Sequence, residues 1–323
     1  MRLLTQSADF QAFSDTEVLV LGNDGKLWLE YAGPSGKFGA VPPPREQVDW
    51  NVFAFQGLSA TTVLVLGADG KLWLEHAEPT GKFGAVPPPR EQVDWNVFAF
   101  QGLSDTTVLV LGTDGKLWLE HAESTGKFGA VPPPREQIDG DVAAFQALSD
   151  TEVFVLGTDG KLWLEHTIAS GKFGAVPPPR EQVDGNVFGF QGLSATEVLV
   201  LGTDRKLWLE HAETSGKFDA VPSPREQVDE NVFAFQGLSA TTVLVLGTDG
   251  KLWLEHAEPT GMFSAIPPPR EQVDGNVQAF QGLSASTVLV LGTDDKLWLE
   301  HAESTGKFGA VPPPREQIDV YVS

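Results

Sequence analysis

Six histidines, His76, His121, His166, His211, His256 and His301, each follow a Leu-Trp-Leu-Glu run and stand 45 residues apart, with Tyr31 in the matching place of the first copy. An imidazole can ligate a metal, shuttle a proton or hydrogen-bond a ligand hydroxyl. Metal binding needs several ligands converging on one point. Residues 45 apart fall on successive structural units, and the glutamate before each histidine points to the opposite face of a strand. The pattern therefore favours a repeated surface or groove histidine that could hydrogen-bond a sugar hydroxyl, and no metal site is expected.

A second series, Arg45, Arg90, Arg135, Arg180, Arg225, Arg270 and Arg315, opens a recurring Arg-Glu-Gln run. Two roles suit such an arginine: pairing with an acid of the neighbouring unit, or bidentate donation to a ligand. Arg90, Arg135, Arg180, Arg225 and Arg270 are accordingly carried as candidate ligand contacts. The tryptophans at 28, 73, 118, 163, 208, 253 and 298 lie between leucines and read as packing between units. Trp50 and Trp95 differ, because other copies hold Gly140, Gly185, Glu230, Gly275 and Val320 at that place. So tolerant a position is exposed, and both tryptophans join the candidate ligand contacts.

Catalysis finds no footing. Enzyme sites on repeat folds depend on polar residues that break the symmetry, and no activated nucleophile or acid–base pair stands out. Repeated carboxylates such as Glu75 and Glu91 read as solvated faces and partners between units. Asp69 and Asp114 lack the spaced oxygen donors of a calcium loop and read as turn residues. No catalytic residue and no cofactor is expected.

These residues must be positioned by a repeat of 45 residues, seven copies of which span 315 of the 323 residues. Within one copy, 52–58 (VFAFQGL), 63–66 (VLVL) and 72–75 (LWLE) read as inner, middle and third strands. Gly-Ala-Asp-Gly-Lys at 67–71 supplies the positive φ angles of a tight hairpin. Arg205 and Asp295 replace that glycine in two copies, which should be the softest hairpins. The proline-rich 82–94 stretch reads as a polyproline crossing and a short outer edge strand. The expected fold is all-β, a seven-bladed β-propeller of about 45 residues per four-stranded blade, with 1–323 as a single domain. An open solenoid would need polar caps, which neither end carries. Residues 1–8 and 316–323 share one register of the repeat, so only one of them can fill the closing seam.

The amplified blade and signatures such as 108–120 (VLVLGTDGKLWLE) resemble the lectin-type propellers, including tachylectin-like and fungal sugar-binding propellers. That resemblance implies sugars held in grooves between adjacent blades, up to seven per chain, with strength from multivalency. The WD-repeat signature is a weaker match, since the pair here is Leu-Trp and no Gly-His opens the unit. The copies starting at Phe55 and Phe235 differ at six of 45 positions, which points to recent amplification or design of one blade.

Composition narrows the partners. A formal charge of −22 repels phosphate backbones and anionic lipid headgroups, so neither nucleic acid nor membrane is expected. Without cysteine there are no disulfides, thiolate metal sites or cysteine nucleophiles. The opening residues lack the apolar run of a secretory signal, which makes the cytoplasm the default location. The leading functional expectation is a multivalent carbohydrate-binding protein. The alternatives are a protein-interaction scaffold or an amplified or engineered repeat without a defined ligand.

Overall fold

The computed structural model describes residues 9–320, and every regular element among them is a β-strand. The first sheet comprises β1 (Phe10–Ala12), β2 (Glu17–Leu21), β3 (Leu27–Tyr31) and β4 (Arg45–Asp49), and the second β5 (Val52–Ser59), β6 (Thr62–Gly67), β7 (Leu72–His76) and β8 (Arg90–Asp94). Five more sheets repeat this pattern, the seventh ending in β28 (Arg315–Val320). Each sheet takes four consecutive strands in chain order, paired antiparallel, and the fold is a seven-bladed β-propeller.

The Val-Leu-Val-Leu strand explains why the sheets stack. Alternate side chains leave opposite faces, so the valines of one second strand face the preceding sheet and its leucines face the following one. Leu64, Leu66, Leu72 and Leu74 of the second sheet pack with Phe100, Val108, Val110 and Phe128 of the third. Leu109, Leu111, Leu117 and Leu119 of the third sheet meet Phe145, Val153, Val155 and Phe173 of the fourth in the same way. Each fully buried aliphatic side chain contributes about 1.5–3 kcal/mol. No sheet could bury both faces alone.

Contacts group the chain into two compact units, one built on Asn51–Thr203 with Glu210–Arg225, the other on Asp204–Leu209 and the chain from Glu226, together with the first sheet. Within the second unit the last sheet packs on the first. Leu289, Leu291, Leu297 and Leu299 pack against Phe10, Val18, Val20 and Phe38, as consecutive sheets do. The seam predicted from the shared register resolves in one direction: β28 completes the seventh sheet, and every described sheet is contiguous in sequence. The matching 1–8 segment lies outside the described residues.

The first strands of neighbouring sheets are joined by glutamine side chains. Gln56 Nε2 donates to the Gly102 carbonyl at 3.2 Å, while its Oε1 accepts from the Gly102 amide at 2.7 Å. The same clasp joins Gln101 to Ala147, Gln146 to Gly192 and Gln236 to Gly282. Gln281 Oε1 accepts from the Ala12 amide at 2.9 Å across the first and last sheets. A primary amide thus occupies edge groups that would otherwise be unpaired. Gly102 suits the position because a Cβ there would lie 2.5 Å from a Leu64 methyl.

The Asp-Gly turn differs in type from the expectation. Gly67 N–H donates to the Lys71 carbonyl and Gly70 N–H to the Gly67 carbonyl, which makes a three-residue loop with one left-handed residue, Gly70 at φ 75°. Asp69 instead accepts from the Lys71 amide at 3.2 Å and pairs with its ammonium at 2.6 Å. Arg205 and Asp295 keep the left-handed angle, at φ 66° and 58°. A side chain at a left-handed angle costs about 1 kcal/mol. Arg205→Gly should therefore raise stability by about 1 kcal/mol, read as a higher urea midpoint. An unchanged or lowered midpoint would count against this account of the turn.

Candidate functional site

Three groups of repeated or near-repeated residues compete as a site: the arginines with the carboxyls around them, the histidines, and the aromatic residues at the hairpin end of the sheets.

Each arginine opens the fourth strand of its sheet. Arg135 places Nη1 3.2 Å from Asp94 of the preceding sheet and 3.3 Å from Glu120 of its own, with its guanidinium carbon 4.1 Å from the centre of the Trp118 ring. Arg180 repeats this with Asp139, Glu165 and Trp163. Arg225 pairs with Asp184 and Glu210, and Arg270 with Asp229, Glu255 and Trp253. Arg90 lies 3.5 Å from Glu75 and 4.2 Å from the Trp73 ring centre. Of the two roles the sequence allowed, these distances show pairing with the acid of the neighbouring sheet.

Two readings need correction here. The strand tryptophans are half-buried rather than enclosed between leucines, because the leucines leave the other face of the strand while an arginine covers the indole. Glu75 and its equivalents are not solvated. Glu30, Glu75, Glu120, Glu165, Glu210, Glu255 and Glu300 are wholly buried. Burial first, and then the charge of Asp94, push the Glu120 carboxyl up to about 9, with Arg135 opposing only in part. Glu91, expected to be both solvated and a partner between units, is a partner: it accepts from the Phe128 amide of the next sheet at 2.9 Å.

The histidines end the third strands and are half-buried, at the opposite end of the sheet from the hairpins. His166 lies 3.7 Å from Glu152 and 3.5 Å from Glu181. His256 and His301 lie 4.0 and 3.9 Å from Glu271 and Glu316. His76 and His121 hold the same strand position, cross-strand from Thr62 and Thr107, and His211 lies 3.8 Å from Glu197. Among the described residues no group of three or more His, Asp or Glu is arranged to hold a metal ion.

The third group is repeated incompletely: an exposed phenylalanine stands at 53, 98, 188 and 233, while Ala143 and Gln278 take its place in two copies. Two residues link each fourth strand to the next first strand, and their conformation is held locally. Asp94 Oδ1 accepts from the Trp95 amide at 2.8 Å, Asn96 is left-handed at φ 53°, and Val97 N–H donates to the Gly70 carbonyl of the preceding sheet. The pairing then slips opposite Leu111 and Gly112, which sets Phe98 out of register. Trp95 and Phe98 are consequently 50% and 52% exposed at one end of the sheet, and Phe53 at the same place in the second sheet is 63% exposed. In the other unit, Trp50 is 52% exposed. The fourth sheet carries Gly140 and Ala143 at these places and the seventh Gly275 and Gln278.

The exposure of Trp50 and Trp95 follows from the tolerance of their position. Phe53 and Phe98 escaped the sequence reading because they sit inside a strand-like apolar run. The available signal was the substitution of the same place by Ala143 and Gln278, which a buried phenylalanine would not permit.

No family model and no curated protein matches this sequence. Solved structures do. The WD40 β-propeller domain of Doa1 is similar with a TM-score of 0.56 at 11% identity, over 92% of this chain and 93% of that one. Hsv2p of Kluyveromyces lactis reaches 0.59 at 10% identity, over 96% and 98%. The computationally designed Ika8 protein reaches 0.51 at 14% identity, over 90% and 82%. At these identities the likeness is one of fold. It carries the propeller architecture and gives no support to lectin-type membership.

The arginine geometry has a direct consequence. Removing one partner from a largely buried charge group leaves the others uncompensated. Arg135→Ala should destabilise the protein by about 3 kcal/mol, measured by chemical denaturation, whereas a loss below about 1 kcal/mol would place the guanidinium in the class of surface ion pairs.

Proposed function

We propose that this protein is a protein-binding scaffold rather than an enzyme, and that Phe53, Trp95 and Phe98 are its contact residues. The observation that carries this reading is the exposure of large aromatic side chains on the first strands and in the links before them, at places that other copies fill with Gly140, Ala143, Gly275 or Gln278. Aromatic residues held at a surface are the usual anchors of protein interfaces, with large contact area and few rotors to immobilise. The formal charge of −22 favours a partner with a basic surface and slows self-association.

The carbohydrate reading has less to stand on. The arginines it counted as ligand contacts are engaged with carboxyls and lie over the strand tryptophans. Trp95 and Phe98 could still stack on a sugar, so the test must separate the two ligands.

The Trp95→Ala/Phe98→Ala double variant should keep its circular dichroism and thermal midpoint, since both side chains are half-exposed. Its affinity for a basic protein partner captured by the wild-type chain should fall at least about 30-fold, the loss of a hot-spot residue worth about 2 kcal/mol. Addition of mono- and disaccharides should leave that binding unchanged. Equal capture by the variant, or release by sugars, would overturn the proposal.

A further inference from the structure

The buried carboxyls beside the arginines lie outside the proposed contact surface, and their charge does not balance. At the junction of the second and third sheets, one guanidinium faces two carboxyls. Arg135 comes from the same sheet as Glu120 and Asp94 from the fourth strand of the preceding sheet, and these are the charged groups that act on Glu120. Glu120 has no exposed surface, and its Oε2 has no hydrogen-bond partner. The same arrangement recurs at Glu30 with Arg45 and Asp319, at Glu165 with Arg180 and Asp139, and at Glu210 with Arg225 and Asp184. It recurs again at Glu255 with Arg270 and Asp229, and at Glu300 with Arg315 and Asp274.

Were both acids ionised, each group would hold a net negative charge beside a glutamate with no exposed surface, which is unfavourable. The aspartate has a reason to keep its charge: in the groups of Asp94, Asp139, Asp184, Asp229 and Asp274, Oδ1 also accepts the next backbone amide. The glutamate has only the shared arginine.

We propose that each of these Asp–Arg–Glu groups binds one proton at neutral pH, held on the glutamate, so that docking of neighbouring sheets takes up protons and the junctions weaken as the medium turns alkaline. Burial and the facing aspartate act in this direction at all six glutamates, raising Glu30 to about 8 and the other five to about 9 from an ordinary 4.5. The sign follows. The unfolded chain releases these protons near 4.5 and the folded chain retains them, so the folded state binds more protons across the interval between. Their contribution to stability is intact below 4.5 and is lost as the pH rises to about 9.

Thermal midpoints of the full chain, measured from pH 5.5 to 9 at constant ionic strength, test this against a Glu120→Gln/Glu165→Gln/Glu255→Gln variant, whose amides mimic protonated carboxyls. The wild-type midpoint should fall steadily with pH, and the variant's should fall clearly less steeply, three of these proton sites having been removed. A flat or rising wild-type profile would overturn the proposal, as would an unchanged slope in the variant, which would assign the fall to overall charge repulsion. Should the variant not fold, infrared spectra of the wild type decide: a protonated-carboxyl band at pH 8 is expected, and its absence contradicts the proposal.

Discussion

A four-stranded antiparallel sheet that is apolar on both faces cannot persist alone in water, because burying one face leaves the other exposed. Every sheet here is of that kind. Its second strand alternates valine with leucine, or in the fourth sheet with Phe154 and Leu156, so it must be covered on both sides, and the matching shapes of the valine–phenylalanine and leucine faces make the next copy of itself the natural cover. A stack built this way has no end until the last sheet meets the first, as the seventh does.

Close-packed junctions constrain polar groups as well as apolar ones. Glutamine amides take up the edge groups of the first strands, Glu91 and its equivalents accept loop amides of the following sheet, and the arginines tie two carboxyls together at each fourth strand. Most of the repeated polar residues therefore belong to assembly. Repetition, which at first sight suggested multiplied binding sites, is better explained by a junction that recurs. The proposed contact residues lie outside these junctions, among the exposed aromatics at the hairpin end.

The strands and their order were legible in the sequence because each depends on local pattern: alternation in Val-Leu-Val-Leu, glycine in the hairpin, prolines that exclude a central strand. The invariant spacing made the blade count visible. The state of the polar residues was not legible, because it depends on contacts between copies. Glu75 looks like a solvent-facing residue beside a tryptophan until the arginine of its own fourth strand is seen closing over it. Gln56 looks like an ordinary strand residue until its amide meets Gly102 of the next sheet.

The central claim is that neighbouring sheets are locked along their first strands as well as by apolar packing, and native-state hydrogen exchange at the clasped amides tests it most directly. The amides of Gly102, Ala147, Gly192 and Gly282 belong to sheet edges and would exchange quickly if free. Because glutamine oxygens accept them, they should exchange as slowly as the central-strand amides of Leu109 and Val155, through global unfolding. Exchange at rates typical of an open edge would contradict the account.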